Sequence, residues 1–374
     1  MRNDGVSLYT HFSKREYNAV KRLPENCSTL YADLLQKTMD SSLVSLTGGS
    51  FVSKTIGNST HWYYQTKQVL GKRKQTWVGK ETPELLEKIK EARDAKYSAA
   101  AILEERKRLV GMLSVGGATM EKGRSAKIIE SMSNAGLFRS GGTLVGSFAF
   151  GCYGNMLGVR FDSALQRTQD MDFSIDREIE IGIERDLRQD LVTVDSTLAV
   201  PRQVNPAVKP FEMIAADGFK VEFLTTQRSA LEKAPVLIDR FSVYAMPLPY
   251  MDYLLEHNQA AVVLYGAGIP VMVPDPARFA LHKLAVSQLR PIGTKAKSDK
   301  DIQQAAAVLE VLLEDNPGLI MLAAESLNSR SDMMVNDVRK GAGRLPEGLR
   351  KTLVEWLPEK KWDTALGLSK SKTP

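Results

Sequence analysis

The chain has 374 residues, more than a single hydrophobic core usually serves, so two or three domains are expected. Its composition, 43% hydrophobic and 25% charged, is that of a globular protein and excludes a disordered, collagen-like or disulfide-scaffold chain. The net charge of +6 divides unevenly, +9 over residues 1–140 and −3 over 141–374, so a basic end suited to meeting polyanions is joined to a body of opposite sign.

Residues 1–44 carry a helical apolar spacing (Tyr31, Leu34, Leu35, Met39) and predict one or two short leading helices. From about 50 to 79 the texture changes to short runs broken by turns, FVSKTI, THWYYQTK and RKQTWVG, which predict a three-stranded meander punctuated near Asn58 and Gly71. Thr82-Pro83 then opens a helix, with Pro at its first position and Glu84 and Glu87 in the first turn, expected to run to about Met112. Beyond the Gly116-Gly117 break and a short helix, TLVGS (143–147) reads as a buried strand, FAFGCYGNMLG as a helix, QDMDFSID (169–176) as a strand and 178–194 as a helix. FEMIAADGFKVEFLT (211–225) predicts a hairpin with a type I′ turn at Asp217-Gly218, and AVVLYG and IPVMVP a second strand pair. From 276 to about 357 the pattern is helical throughout, ahead of a polar tail. The expected division is 1–115, 116–275 and 276–374.

No apolar run reaches the ~20 residues of a membrane span, and the first residues (MRNDGVSLYTHF) lack the apolar core of a signal peptide. Only Cys27 and Cys152 are present, outside any metal-ligand spacing, which excludes a zinc module and favours a reducing compartment. A cytoplasmic protein with no membrane partner is expected.

The residues that could carry chemistry lie mostly between 143 and 222. In a strand, residues i and i+2 share a face, so Asp170 and Asp172 stand together while Met171 and Phe173 point to the core. Two adjacent carboxylates repel unless a cation lies between them, and hard oxygen donors at that spacing suit Mg²⁺ (or Mn²⁺) completed by water and phosphate. Gly146-Ser147, ending one strand and opening a helix, offers backbone N–H groups and a hydroxyl to a phosphate. Glu222 alternates with Val221 and Phe223. If its strand pairs beside QDMDF it adds a third carboxylate, and a two-metal site of ions about 4 Å apart becomes feasible. Taken singly, each feature also has an ordinary explanation: a solvated strand end, a plain turn, an exposed hairpin charge. Their order along the chain is what joins them.

VGSFAF, TQDMDF and KVEFLT together resemble the nucleotidyltransferase fold of the DNA polymerase β superfamily, marked by a Gly-Ser turn followed by an acidic DxD strand. PARFALHKLAVSQLR and KSDKDIQQAAAVL further resemble a bacterial "nucleotidyltransferase domain" branch akin to abortive-infection toxins. The resemblance spans roughly 136–312. It implies an α+β fold, a mixed sheet flanked by helices, with the small basic meander and long helix at the N-terminus and a helical C-terminal region. It further implies Gly146 and Ser147 on the nucleotide phosphates, Asp170 and Asp172 on Mg²⁺, and Glu222 where relatives often have Asp. The helical motif of those relatives maps to Lys283 and Arg290, and their later acidic motif to Asp301.

Read from the residues alone, Lys283, Ser287 and Arg290 form one polar helical stripe beside Phe279, His282, Val286 and Leu289. A cationic stripe near a carboxylate site would balance triphosphate charge, but a solvated face has the same pattern. Asp301, three residues after Ser298, also fits a capping box. His282, with no second His at ligand spacing, reads as a core residue. In the segment 61–80, His61, Trp62, Tyr63 and Tyr64 beside Lys67, Lys72, Arg73, Lys74 and Trp77 make either an RNA or DNA platform or a small sheet packed on the next helix.

The expected function is Mg²⁺-dependent transfer of NMP from an NTP to RNA, a protein hydroxyl or a small molecule, toxin-like and opposed by a neutralising partner protein. The rival reading is a non-catalytic nucleic-acid-binding or partner-binding protein on a degenerate scaffold.

Overall fold

The computed structural model describes residues 20–41, 50–65, 75–94, 98–177, 185–201 and 209–359. Contacts divide the described residues into two compact units, one of residues 22–279 and one of residues 280–359 with Val20 and Lys21.

In the first unit, helix α1 (Glu25–Ser41) precedes the antiparallel meander β1 (Ser50–Ile56), β2 (Ser59–Gln65) and β3 (Gln75–Lys80). Alternation along β2 sends its aromatic rings to both faces, and both faces are packed. Tyr64 and Trp62 meet Phe51, Val78 and Leu85, the last from helix α2 (Pro83–Asp94); Tyr63 and Trp77 pack with Val52. The helix expected to reach Met112 is described as α2 and α3 (Ser98–Val115).

The main sheet follows α4 (Gly123–Asn134). Strand β4 (Gly142–Val145) runs into helix α5 (Gly146–Met156) and pairs antiparallel with β5 (Asp170–Ile175). Beside β5, parallel, lies β7 (Lys220–Thr226). The far edge of β7 is shared: its first half pairs with β6 (Glu212–Ile214), antiparallel, and its last residues with β9 (Val243–Leu248), parallel, which carries β8 (Val236–Ile238) at the edge. The odd positions of β5 and β7 form the core: Met171, Phe173, Ile175, Val221 and Phe223 are buried, and the rings of Phe173 and Phe223 stack at 6.2 Å. This apolar register turns the even positions Asp170, Asp172 and Glu222 to the other face. A two-stranded pair, β10 (Asn258–Val263) and β11 (Ile269–Pro274), completes the unit's main strands.

The hairpin between β6 and β7 forms, but without the expected type I′ turn. That turn needs positive φ at both central residues, and here Gly218 alone is left-handed, at φ 86°. The Gly218 N–H closes on the Ala215 carbonyl, and the Asp217 carboxylate accepts from the Phe219 N–H at 3.2 Å. Within 178–194 the described helix is α6 (Leu187–Val194); residues 178–184 lie outside the described residues, as do Lys67, Gly71 and Lys72–Lys74.

Helix α7 (Pro276–Leu289) begins in the first unit, where the Asp275 carboxylate caps the N–H groups of Ala277 and Arg278. The second unit is helical: α8 (Lys295–Asp315), α9 (Pro317–Glu325), α10 (Asp332–Ala342) and α11 (Glu347–Trp356). The overall architecture is an α+β fold, a mixed sheet flanked by helices. Among the described residues no helix is long and apolar enough to cross a membrane, and Cys27 and Cys152 are free and buried.

Candidate active site

The site is built where β4 ends and β5 begins. In register, Val145 faces Asp172, Asp172 faces Glu222, and Glu222 faces Glu212 on β6. One row across four strands therefore carries three carboxylates, with neighbouring strands about 4.8 Å apart. The next row begins with Asp170 opposite Lys220. The strand pairing on which Glu222 depended is thus formed, and Asp170, Asp172 and Glu222 share one face.

Gly146 follows Val145 at φ 64°, in the left-handed region that favours glycine. A methyl group on it would collide with Asp172 Oδ2. The glycine thus meets two demands, the turn from strand to helix and the approach of the Asp172 carboxylate to the backbone. Ser147 is the second residue of α5, an eleven-residue helix whose positive N-terminal end lies at this corner. Ser147 also lines a small open pocket of about 40 Å³ along α5, shared with Gly151, Cys152, Asn155 and Glu121.

The electrostatics are those of crowded negative charge. Burial, then the charges of Asp172, Asp170 and Glu212, push the Glu222 carboxyl up to about 7, with Lys220 acting in the opposite sense. Lys220 is held protonated above its ordinary value, chiefly by its bond to Glu212, with Nζ 3.2 Å from Glu212 Oε2. Glu212 and Lys220 were not foreseen as site residues. The signal was available in the hairpin itself: folding FEMI back on KVEF about residues 215–219 sets one Glu opposite the other.

Among the described residues no group of three His, Cys, Asp or Glu side chains is arranged to hold a metal ion. The donor set nevertheless fits a hard divalent cation of the kind that takes one or two carboxylates and fills its shell with water and phosphate oxygens. Asp170 and Asp172 supply oxygen donors, and the helix N-terminus beside them suits a phosphate.

A family model described as Nucleotidyltransferase matches residues 123–328. The chain belongs to the nucleotidyltransferase family. The matched segment contains the Gly146 turn, both Asp residues of β5 and Glu222, and membership brings with it a transferase activity, NMP transfer, with an NTP as substrate. No curated protein and no solved structure gives a significant match.

In this nucleotidyltransferase the remaining expected residues lie in the second unit. Lys283 and Asp301 are 8% and 3% exposed and bonded to each other, Nζ to Oδ1 at 2.6 Å; Arg290 Nε donates to Asp301 Oδ2 at 2.9 Å. The stripe Lys283, Ser287, Arg290 is therefore no solvated face: its first two members are buried and its two cations converge on one acid. Burial alone would raise the Asp301 carboxyl, but Lys283 and Arg290 outweigh it and hold the group below the usual carboxylate range. His282, its ring buried beside Lys283, is pushed down to about 3 and stays neutral, consistent with a core role. The capping-box reading of Ser298 and Asp301 fails, because α8 starts at Lys295, one turn earlier. Ser298 instead donates to the Ser287 carbonyl at 2.8 Å and accepts from Arg344 at 2.7 Å.

The described aromatic residues Trp62, Tyr63, Tyr64 and Trp77 are packed on the two faces of the sheet, and Trp62 Nε1 donates to Glu81 at 2.8 Å. Its rings serve the small sheet and the helix beside it.

Proposed function

We propose that the protein transfers a nucleoside monophosphate from an NTP to an acceptor hydroxyl, with the Asp170–Asp172–Glu222 face as its reaction centre. The observation that carries this reading is the register of β5 with β7, which sets Glu222 beside Asp172 while Gly146 brings the start of α5 against the same carboxylate. Asp170 and Asp172 would hold Mg²⁺ or Mn²⁺. Such an ion, when bound, neutralises triphosphate charge and favours loss of pyrophosphate.

The chain's own groups do the rest. The N–H groups at the start of α5 and the Ser147 hydroxyl orient the β- and γ-phosphates. Glu222, half-buried between Asp172 and Glu212, accepts the proton of the acceptor hydroxyl. The acceptor oxygen bonds to the α-phosphorus as the bond from that phosphorus to the bridging oxygen breaks, and pyrophosphate leaves.

Purified protein incubated with labelled NTPs, Mg²⁺ and total RNA or protein extract should label an acceptor, and Asp172→Ala should lose the labelling by a factor on the order of 10²–10³. Absence of NTP binding at millimolar Mg²⁺, with salt-sensitive RNA or DNA binding intact, would favour the degenerate scaffold instead. Growth on expression of wild type against Asp170→Ala tests the toxin-like role and, with it, the need for a neutralising partner.

A further inference from the structure

Lys220 occupies an awkward place for a site that binds cations. It stands opposite Asp170 in register and two residues before Glu222 on the same face. An ammonium on a flexible four-carbon stem at that point is able to swing over the Asp170–Asp172 pair and neutralise it. Its Nζ instead lies 3.2 Å from Glu212 Oε2, on the strand beyond β7 and away from β5. Glu212 is the better buried of the two, its side chain 19% exposed against 36% for Lys220, so the acid is the fixed partner and the lysine the movable one.

We propose that Glu212 is a positioning residue that tethers Lys220 on the outer side of β7 and so keeps its ammonium out of the divalent-cation position at Asp170 and Asp172. The inference rests on reading those two residues as the metal-binding pair. Released from Glu212, Lys220 becomes an intramolecular competitor whose effective concentration, on the order of millimolar, rivals that of the metal. The tether thus explains why a lysine can sit within the carboxylate face without closing it. It also gives the fourth carboxylate a task other than ligation: Glu212 faces Glu222 but lies two strands from Asp172.

The test is a double-mutant cycle read by direct binding of Mn²⁺ alone, followed by the electron paramagnetic resonance of the free ion, with circular dichroism and thermal melting confirming that each variant folds. Glu212→Gln should weaken Mn²⁺ binding about tenfold when Lys220 is present. The same substitution in a Lys220→Met background should weaken it no more than about twofold, and Lys220→Met alone should bind at least as tightly as wild type. If Glu212→Gln costs the same factor in both backgrounds, Glu212 acts as a ligand or as a general charge, and the tether is overturned while the metal site stands. If wild type takes up no Mn²⁺ at millimolar concentration, the metal-binding reading itself falls, and the tether with it.

Discussion

Two clusters of charged side chains in this protein, one in each unit, are built from the same kinds of group in opposite proportion. On the sheet face, Asp170, Asp172, Glu222 and Glu212 stand together with Lys220, which is bonded to Glu212. In the helical unit, Lys283 and Arg290 close on the single Asp301. The consequence is visible in the central carboxyl of each. Glu222 is pushed up to about 7, largely by burial and then by its acidic neighbours, whereas Asp301, though buried, is held low by its two cations. Burial is common to both, so the sign of the surrounding charge decides. A buried cluster whose charges answer one another holds the fold. A cluster with a surplus of one sign needs a ligand of the other.

That contrast breaks most readily at Asp301. Asp301→Ala removes the acid that the buried Lys283 ammonium and Arg290 share and should cost about 3–5 kcal/mol. Lys283→Met should cost less, because Arg290 still meets the acid. Chemical denaturation of the two variants checks the order, and equal small losses would remove the structural role given to the pair.

On the sheet face the effect is smaller and has the opposite sense. A carboxyl whose folded value lies above its unfolded one holds its proton longer in the folded state, so the metal-free protein loses stability as pH rises from about 4.5 to about 7 and no more above that. Glu222→Gln removes this loss, and at pH 8 the metal-free variant should be more stable than wild type by on the order of 1–3 kcal/mol. Denaturation of both proteins at pH 5 and pH 8 measures it; a variant no more stable at pH 8 would mean that Glu222 is not under the strain described.

The smallest expected effect concerns the meander. Trp62→Phe should cost about 1 kcal/mol for the lost bond to Glu81 and leave RNA affinity at fixed salt unchanged. A clear fall in RNA affinity would return the aromatic segment to nucleic-acid binding.

The features legible in the sequence were those fixed by neighbours along the chain. The Gly-Ser turn and the DxD strand need only a period of two and a strand-to-helix break, and both lie where the pattern put them. Glu222 was legible conditionally, since its place depended on a parallel pairing between strands more than forty residues apart. Glu212 escaped notice because it required a further pairing on the other edge of the same strand. The nature of the Lys283 stripe was hidden for a related reason. Cations at i and i+7 look alike whether they face water or a buried acid, and Asp301 comes from the next long helix. The capping box failed because the 3₁₀ turn Ile292–Thr294 leads directly into α8 and carries the helix start back to Lys295. The type I′ turn failed because Asp217 keeps negative φ and binds Phe219 N–H with its own carboxylate.

The most direct measurement is the anomalous scattering of Mn²⁺ in crystals of the protein grown with a non-hydrolysable NTP analogue. The account predicts a peak about 2.1 Å from carboxylate oxygens of Asp170 and Asp172, with analogue phosphates at Gly146 and Ser147. A bound analogue whose metal and phosphates lie elsewhere, with these two carboxylates uncoordinated, would contradict it.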